Sequence, residues 1–338
     1  KKEEIKEEKI EEKPEIKELL SLYLKDKKLI AHNATFENMV FNQFFPHKIP
    51  ITDDTLLMSY VYNEGMPHDL HSLIATYTSI QKHKNDYRQY ERVENDQVPI
   101  EVLASANLAD ADGTIRVYNT FCEKLDGSDW LFYKEYIMDQ FFPLICHMNT
   151  QGMQIDTEYV RKLLPNYLQK EQDFRRNFTE LFDCNPNSSS QVSELLLDLG
   201  YILPHTETGD HSVNKEAIAH ARKYTEKERL PILAYIENGK YLRYINSYYL
   251  LKMFDWLGED SNVHPDWKVY GTISGRLSSS GPNLQNISKN NVVKKMFTSR
   301  YENGWLLSFD YSAHEFRVFA LLMRDWGLIN AFKSGLDP

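Results

Sequence analysis

Two segments after residue 270 carry side chains that suit nucleic-acid binding and metal chemistry. The first, residues 271–287, reads GTISGRLSSSGPNLQNI and combines small residues, amides and one arginine, Arg276. Glycine lets a backbone approach a ligand closely, and Asn283, Gln285 and Asn286 supply hydrogen-bond donors and acceptors together. Arginine can join a base edge to a phosphate. On composition alone, such a segment is most often only a loop.

The second segment, residues 306–317, reads LLSFDYSAHEFR and places the carboxylate of Asp310 directly after an apolar run. The run Trp305–Phe309 has the pattern of a buried strand, and the apolar spacing from Ala313 onward predicts a helix. A carboxylate at the rigid end of a strand suits a hard divalent cation, which prefers oxygen ligands. The simpler alternative is that Asp310 caps the helix that follows.

Hydrophobic periodicity predicts the elements that position these segments. Strand patterns at 28–31 and 49–52, with helical patterns at 68–77 and 100–121, indicate an α/β arrangement. From about Tyr133 the chain reads as mainly helical, and no glycine-rich phosphate loop is present. Pro165 should kink one long helix or shift its start. Further helices are expected at 192–200, 213–223 and 231–256.

The composition excludes several classes of protein. The chain has 338 residues, of which 42% are hydrophobic and 26% charged, so two or three domains with real cores are expected. No apolar run approaches the ~18 residues of a membrane span, and the charged start KKEEIKEEKIEEK is neither a signal peptide nor a good isolated helix. Three cysteines are too few for a disulfide framework, which favours a reducing compartment.

Together, the two segments after residue 270 resemble the family-A DNA polymerases, the bacterial DNA polymerase I group and its phage relatives. That family reads TGRLSSxxPNLQNI, a basic stretch and then DYSxxExR, where this sequence has SGRLSSSGPNLQNI, Lys294-Lys295 and DYSAHEFR. Residues 142–156, 185–191 and 244–249 resemble the family's approach to the thumb, its serine-rich thumb turn and its primer-grip helix.

The resemblance implies a two-metal phosphoryl transfer, with two Mg²⁺ ions between the primer 3′ oxygen and the incoming triphosphate. Asp310 and the backbone carbonyl of Tyr311 match the metal ligands. Glu315 matches the residue that packs under the nucleotide sugar and selects deoxynucleotides. The residues expected to bind primer–template are Arg276, Asn283, Gln285, Asn286, Arg243, Lys294 and Lys295.

Simpler interpretations stand beside these roles. Glu315 and Arg317 could form a simple ion pair, and that structural role is the first choice for Arg317. Lys294 and Lys295 could be plain surface charge. Trp256 and Trp267 are expected to pack rather than to stack on bases.

The N-terminal third resembles the DEDD-type 3′–5′ exonuclease domain, which implies an RNase H-like fold. The matching residues are Asn33, Phe36, Glu37 and Asp110, within HNATFE and a later DAD. The first motif, Asp-x-Glu, is missing from residues 1–31, and Asp156-Thr-Glu158 lies too late to replace it. Ala106 stands where the family has a tyrosine that orients water. Proofreading activity is therefore doubtful.

The expected domains are an exonuclease-like domain at 1–130, a helical thumb at 131–260 and the start of a right-hand polymerase palm at 261–338. The fold class is thus α/β plus mainly helical. The family's nucleotide-binding fingers helix and second catalytic aspartate would follow residue 338, so the chain reads as incomplete at both ends.

The leading hypothesis is part of a template-directed DNA polymerase. Its partners would be primer–template DNA, deoxynucleoside triphosphates and the remainder of the polymerase, with no membrane. A catalytically silent primer–template-binding fragment and a stand-alone DEDD nuclease are the alternatives. The expected location is the cytoplasm of a bacterium or of a phage-infected host, and an organelle stays open. The HNAxFE spelling leans towards a phage-like branch.

Net charge at first argues against a nucleic-acid partner, because the whole chain carries −10. Residues 240–300, however, hold nine basic and four acidic residues, a local charge of +5 that leaves −15 for the remainder. The average hides a basic stretch that contains the first motif. An acidic remainder would discourage DNA from binding elsewhere on the surface.

Overall fold

The computed structural model describes residues 14–80, 88–90, 93, 97–206 and 209–336. The expected solvated start at residues 1–13 therefore lies outside the described residues. The chain divides into two compact units, Lys1–Phe297 and Thr298–Pro338.

The first part of the larger unit is an α/β region, here called the exonuclease-like region. Two short parallel strands pair in it, with Leu29 opposite Ile51 and Ala31 opposite Asp54. Both strand predictions are confirmed, with bounds that differ by at most two residues. Its elements are α1 (Pro14–Leu24), β1 (Leu29–Ala31), α2 (Ala34–Phe44), β2 (Ile51–Asp54), α3 (Thr55–Tyr62), α4 (Leu70–Tyr77) and α5 (Ile100–Lys124).

A buried charge network fastens this region to the helical segment that follows it. Asp53 at the end of β2 is fully buried, and the Lys134 ammonium lies 2.8 Å from its carboxylate, with that of Lys28 at 3.5 Å. A buried carboxylate needs such partners, because removing them would leave an uncompensated charge. Lys134 belongs to a π-helix, Phe132–Phe141, that follows α6 (Gly127–Leu131) and runs into α7 (Phe142–Gln151).

The first hydrophobic cluster joins these elements to a distant hairpin. Leu57, Phe121 and Tyr133 are buried in it, and Trp267 and Leu277 pack against its side. The hairpin pairs β5 (Asp266–Lys268) with β6 (Ser278–Ser280) in antiparallel register. One continuous core therefore holds the exonuclease-like region and the 271–287 segment together.

A helical segment with its own core follows α7. Helix α8 (Thr157–Phe182) runs through Pro165, so the proline does not shift its start, which Asp156 caps by accepting from the Tyr159 N–H at 2.8 Å. The segment continues with α9 (Ser189–Asp198), α10 (Lys215–Lys223) and α11 (Leu230–Tyr244). Phe178, Leu196 and Leu233 are fully buried among these helices.

The third cluster lies where the helical segment meets a small sheet. Helix α11 passes into a π-helix, Ile245–Leu251, and then a 3₁₀ turn, Lys252–Trp256. The three-stranded sheet is formed by residues 262–263, 153–155 and 297–298, in that order. Tyr249 and Val293 are buried in this cluster, and Trp256 packs against it as expected. The remaining bounds are β3 (Met153–Ile155), β4 (Asn262–Val263), α12 (Asn291–Lys294) and β7 (Phe297–Thr298).

The smaller unit contains two helices, α13 (His314–Leu322) and α14 (Trp326–Lys333), which pack against each other. The prediction of a buried strand at Trp305–Phe309 is wrong. This segment is irregular and exposed, with Trp305 at 85% and Phe309 at 89%. A strand needs a neighbour for its backbone hydrogen bonds, and no described segment pairs with this one.

The expected fold class, α/β plus mainly helical, is confirmed. The three cysteines are free. Within the described ranges, no helix combines the length and the apolar character that crossing a bilayer requires.

Candidate functional site: a braced motif loop and two groups of carboxylates

The 271–287 segment, hereafter the motif loop, begins as the exposed connection between β5 and β6. Gly271 is required there, because a Cβ atom at this position would lie 1.7 Å from the Ser278 hydroxyl. The Thr272 hydroxyl donates to the Arg276 carbonyl at 2.7 Å, which closes the tip of the connection. Arg276 itself is exposed at this tip. The structure thus presents the arginine on a short, internally bonded turn.

The second half of the motif loop is a turn organised by Asn283. Its side-chain oxygen accepts from the backbone N–H groups of Gln285 (3.0 Å) and Asn286 (3.3 Å) and from the Ser279 hydroxyl (3.3 Å). Gln285 donates its amide to the Leu277 carbonyl at 2.7 Å. Two of the three predicted amides therefore shape the loop, while Asn286 is exposed.

Two tyrosines of the π-helix Ile245–Leu251 hydrogen-bond to this turn. The Tyr248 hydroxyl accepts from the Asn283 N–H at 2.9 Å. The Tyr249 hydroxyl accepts from the Ser288 N–H at 2.8 Å and donates to the Asn286 carbonyl at 3.2 Å. These anchors were missed by the sequence analysis, although the density of tyrosines at 241–249 was a usable signal.

The predicted basic residues are all exposed. Arg243 lies in the last turn of α11 and donates to the Asn187 side chain at 3.0 Å, which ties it to the serine-rich turn before α9. Lys294 and Lys295 lie at the end of α12, shortly after the motif loop. Charged groups in these positions suit contact with phosphates rather than base readout.

Asp310 and Tyr311 lie in the irregular segment before α13, and both are exposed. Glu315 is in the first turn of that helix. Arg317 donates to the Ser312 carbonyl at 2.8 Å, and its guanidinium lies 4.5 Å from the centre of the Phe332 ring, contacts that differ from the ion pair with Glu315 considered above. This contact ties the turn after Asp310 to α14.

The exonuclease-like residues are organised by Asp54, a buried carboxylate at the end of β2. It accepts from the N–H groups of Asn33 (3.0 Å) and Ala34 (2.8 Å) at the start of α2, and from that of Leu56 (2.9 Å) in α3. Burial raises the pKa of Asp54 to about 6, although these N–H groups oppose the shift. Asn33 is in the left-handed conformation, with φ 67°. One carboxylate therefore fixes the first turn of both helices.

Glu37 projects from the first turn of α2 and is half-buried. Its Oε2 atom is buried without a hydrogen-bond partner among the described residues. Burial raises its pKa to about 7, and the charge of Asp54 adds to the shift. A carboxylate held this way binds a proton or a cation readily.

The other predicted exonuclease-like residues lie in the same region. Asp110 is half-buried on α5, and its charge acts on His32, whose pKa burial lowers to about 4. Phe36 is exposed and lines a cavity of about 270 Å³ with Asn33 and His264. Among the described residues, no group of three or more His, Cys, Asp or Glu side chains is placed to hold a metal ion.

Comparisons with known proteins agree with this arrangement. A family model described as "3'-5' exonuclease" matches residues 4–126, and one described as "DNA polymerase family A" matches residues 157–338. DNA polymerase I of Borreliella burgdorferi is 29% identical over 338 residues, covering 95% of this chain and 36% of the relative. DNA polymerase I of Streptococcus pneumoniae serotype 4 is 35% identical over 232 residues, covering 64% of this chain and 25% of the relative. The chain thus spans about a third or less of the length of these curated relatives.

A solved structure gives the fold. The POL domain of Pol1 from M. smegmatis, in complex with DNA primer-template and dNTP, superposes with a TM-score of 0.71 at 19% identity. The match covers 94% of this chain and 54% of that chain. Since the second family model covers more than half of the residues, the chain belongs to DNA polymerase family A.

Proposed function

We propose that the protein of which this chain forms part is a template-directed DNA polymerase that adds deoxynucleotides to a primer 3′ end. The observation that carries the proposal is the motif loop. It exposes Arg276 and Asn286, and hydrogen bonds within the loop hold its two turns, in a chain that belongs to family A. Its exonuclease-like, helical and palm-like parts would be residues 1–130, 131–260 and 261–338.

Primer–template DNA would bind along the basic stretch of residues 240–300. Arg276 and Asn286 would face the minor groove, where purine N3 and pyrimidine O2 acceptors lie in nearly the same place in every correct pair. Donors there can test the shape of a pair without reading its sequence. Asn283 and Gln285 would act by holding the loop in shape. Arg243, Lys294 and Lys295 would contact phosphates.

Asp310 would be the catalytic carboxylate, with the Tyr311 carbonyl beside it. Both are exposed oxygen donors, which fits Mg²⁺. When bound, two Mg²⁺ ions would neutralise the charge that develops on the transferring phosphoryl group. One carboxylate and one carbonyl form only part of such a site, so the remainder of the polymerase would supply the other ligands. Glu315, in the first turn of α13, would exclude a ribose 2′-hydroxyl.

Glu37 and Asp110 are the carboxylates of this chain that match the exonuclease motifs. Because residues 1–31 contain no Asp-x-Glu and Ala106 replaces the tyrosine that orients water, proofreading is not proposed for this chain.

The biological setting would be the cytoplasm of a bacterium or a phage-infected host, since the relatives named above are bacterial DNA polymerases. The HNATFE spelling of the second exonuclease motif supports a phage-like branch.

Primer extension by the intact parent protein tests this assignment. Asp310→Ala should lower the extension rate on the order of a thousandfold or more, because it removes a ligand of the reacting centre. Glu302→Ala, another exposed carboxylate of the smaller unit, is the matched control and should extend normally. Normal extension by Asp310→Ala would overturn the polymerase assignment.

A further inference from the structure

A tyrosine of the exonuclease-like region touches the motif loop directly. Tyr60, near the end of α3, donates its hydroxyl to the Thr272 carbonyl at 2.6 Å across 212 residues of sequence. Both residues are partly buried. A partly buried bond of this length constrains the loop more strongly than a surface contact, since water competes with it less.

The contact continues into the residue that is expected to meet DNA. The Thr272 hydroxyl donates to the Arg276 carbonyl at 2.7 Å, and the Ser274 hydroxyl lies 3.3 Å from the same Thr272 oxygen. Tyr60 thus fixes the backbone of Thr272, and the Thr272 side chain fixes the backbone of Arg276.

The tyrosine is itself held rigidly. Its ring meets the His68 ring edge to face, with centroids 5.5 Å apart. The His68 Nδ1 atom lies 2.9 Å from the Ser59 hydroxyl, and Ser59 is fully buried and donates to the Leu56 carbonyl at 2.7 Å. The hydrogen bond from Tyr60 to Thr272, hereafter called the brace, is therefore supported by the buried first half of α3.

We propose that Tyr60 is a positioning residue for primer–template binding, through which the exonuclease-like region holds the Arg276 end of the motif loop. The inference rests on the function proposed for that loop. It assigns the exonuclease-like region a task that requires no hydrolysis: Tyr60 supports the loop at Thr272, as Tyr248 and Tyr249 support it at Asn283 and Asn286.

The test uses the 338-residue chain and a fluorescently labelled hairpin primer–template at fixed salt concentration, with anisotropy as the readout. Tyr60→Phe keeps the ring against His68 and removes only the hydroxyl. It should raise the Kd for the primer–template about three- to tenfold, which corresponds to the net free energy of one hydrogen bond. Tyr201→Phe is the matched control, because Tyr201 makes the same type of bond, to the Arg229 carbonyl at 2.7 Å, within the helical core. Its Kd should not change.

A double variant separates positioning from general loss of structure. If Tyr60 acts through Arg276, the variant carrying Tyr60→Phe and Arg276→Ala should bind no more weakly than Arg276→Ala alone. Independent, additive losses would overturn the proposal, as would equal Kd values for Tyr60→Phe and the wild type.

Hydrogen exchange keeps the inference testable if the proposed function fails. Wild-type chain that does not bind primer–template, or binding that Arg276→Ala leaves unchanged, would refute DNA binding by the loop. Backbone N–H groups at 271–277 should nevertheless exchange faster in Tyr60→Phe than in Tyr201→Phe. Unchanged exchange in this stretch would refute the brace itself.

Discussion

The two motif segments look equally distinctive in the sequence, yet they differ in how much structure surrounds them. The motif loop is hydrogen-bonded near both ends, by Tyr60 at Thr272 and by Tyr248 and Tyr249 at Asn283 and Asn286. The segment before Asp310 is irregular, and its apolar side chains are exposed. A recognisable sequence motif therefore does not show whether the same chain also provides the contacts that order it.

The difference has a physical origin in the location of the partners. Polar atoms of the motif loop find their partners within the loop and in elements earlier in the chain, so the loop needs nothing more to hold its shape. An extended apolar segment needs a neighbouring strand and a facing hydrophobic layer. The described residues provide neither for residues 305–309.

The largest contrast in stability is expected between two alanine variants, Tyr249→Ala, which removes a support of the motif loop, and Phe309→Ala, in the segment before Asp310. Tyr249→Ala removes a side chain that is 1% exposed and two hydrogen bonds to the motif loop, so it should destabilise the larger unit by about 3–5 kcal/mol. Phe309→Ala removes a ring that is 89% exposed and should cost close to nothing. Urea denaturation, monitored by circular dichroism, measures the stability change of both variants.

A large loss for Phe309→Ala would contradict the comparison, because it would mean that residues 305–309 are packed in solution. Tyr249→Phe serves as the conservative control. It keeps the ring and should lose only the share of the hydroxyl, about 1–2 kcal/mol.

Within the motif loop, two neighbouring asparagines should separate shape from contact. Asn283→Ala removes an oxygen that accepts three hydrogen bonds and should cost about 1–2 kcal/mol of stability. Asn286→Ala removes an exposed amide and should change stability by less than about 0.5 kcal/mol, while it weakens primer–template binding. Equal stability losses for the two variants would show that Asn286 also shapes the loop.

The sequence predicted elements whose information is local. The predicted strands at 28–31 and 49–52 and the predicted helices at 68–77 and 100–121 correspond to β1, β2, α4 and α5, whereas α2 was not predicted. The sequence did not predict the Tyr60–Thr272 contact, because 212 residues separate the partners and nothing in either segment points to the other. It failed at Trp305–Phe309, because an apolar run shows what a buried strand needs and not whether a partner strand is present.

Asp54 illustrates the same limit from the other direction. The sequence places Asp53 and Asp54 at a strand end. It does not show that Asp54 accepts hydrogen bonds from the starts of two helices, while Asp53 forms ion pairs with two lysines. The fold determines which carboxylate is hydrogen-bonded by backbone N–H groups and which is paired with ammonium groups. The consequence for Glu37, which lies near the first of them, is an expected dependence of stability on pH.

Replacing Glu37 should give the smallest effect and extends the comparison to a third region, one that is buried but incompletely satisfied. The pKa of this carboxyl is raised to about 7 in the folded chain, so the protonated form is favoured by folding. Its stabilising contribution is complete below the ordinary pKa of about 4.5 and is lost as pH rises through 7. Glu37→Gln does not titrate, so the stability of the variant relative to wild type should increase by about 1 kcal/mol between pH 4.5 and pH 8, a value reduced for partial exposure.

Urea denaturation at a series of pH values measures that difference directly. The titrations of Asp54 and His32 are present in both proteins and largely cancel, although the Asp54 charge contributes to the shift itself. Glu180→Gln, on the exposed face of α8, is the matched control for the loss of a carboxylate. A stability difference for Glu37→Gln that does not change with pH would mean that this carboxylate is satisfied in solution. The exonuclease-like region would then resemble the braced motif loop rather than the bare segment before Asp310.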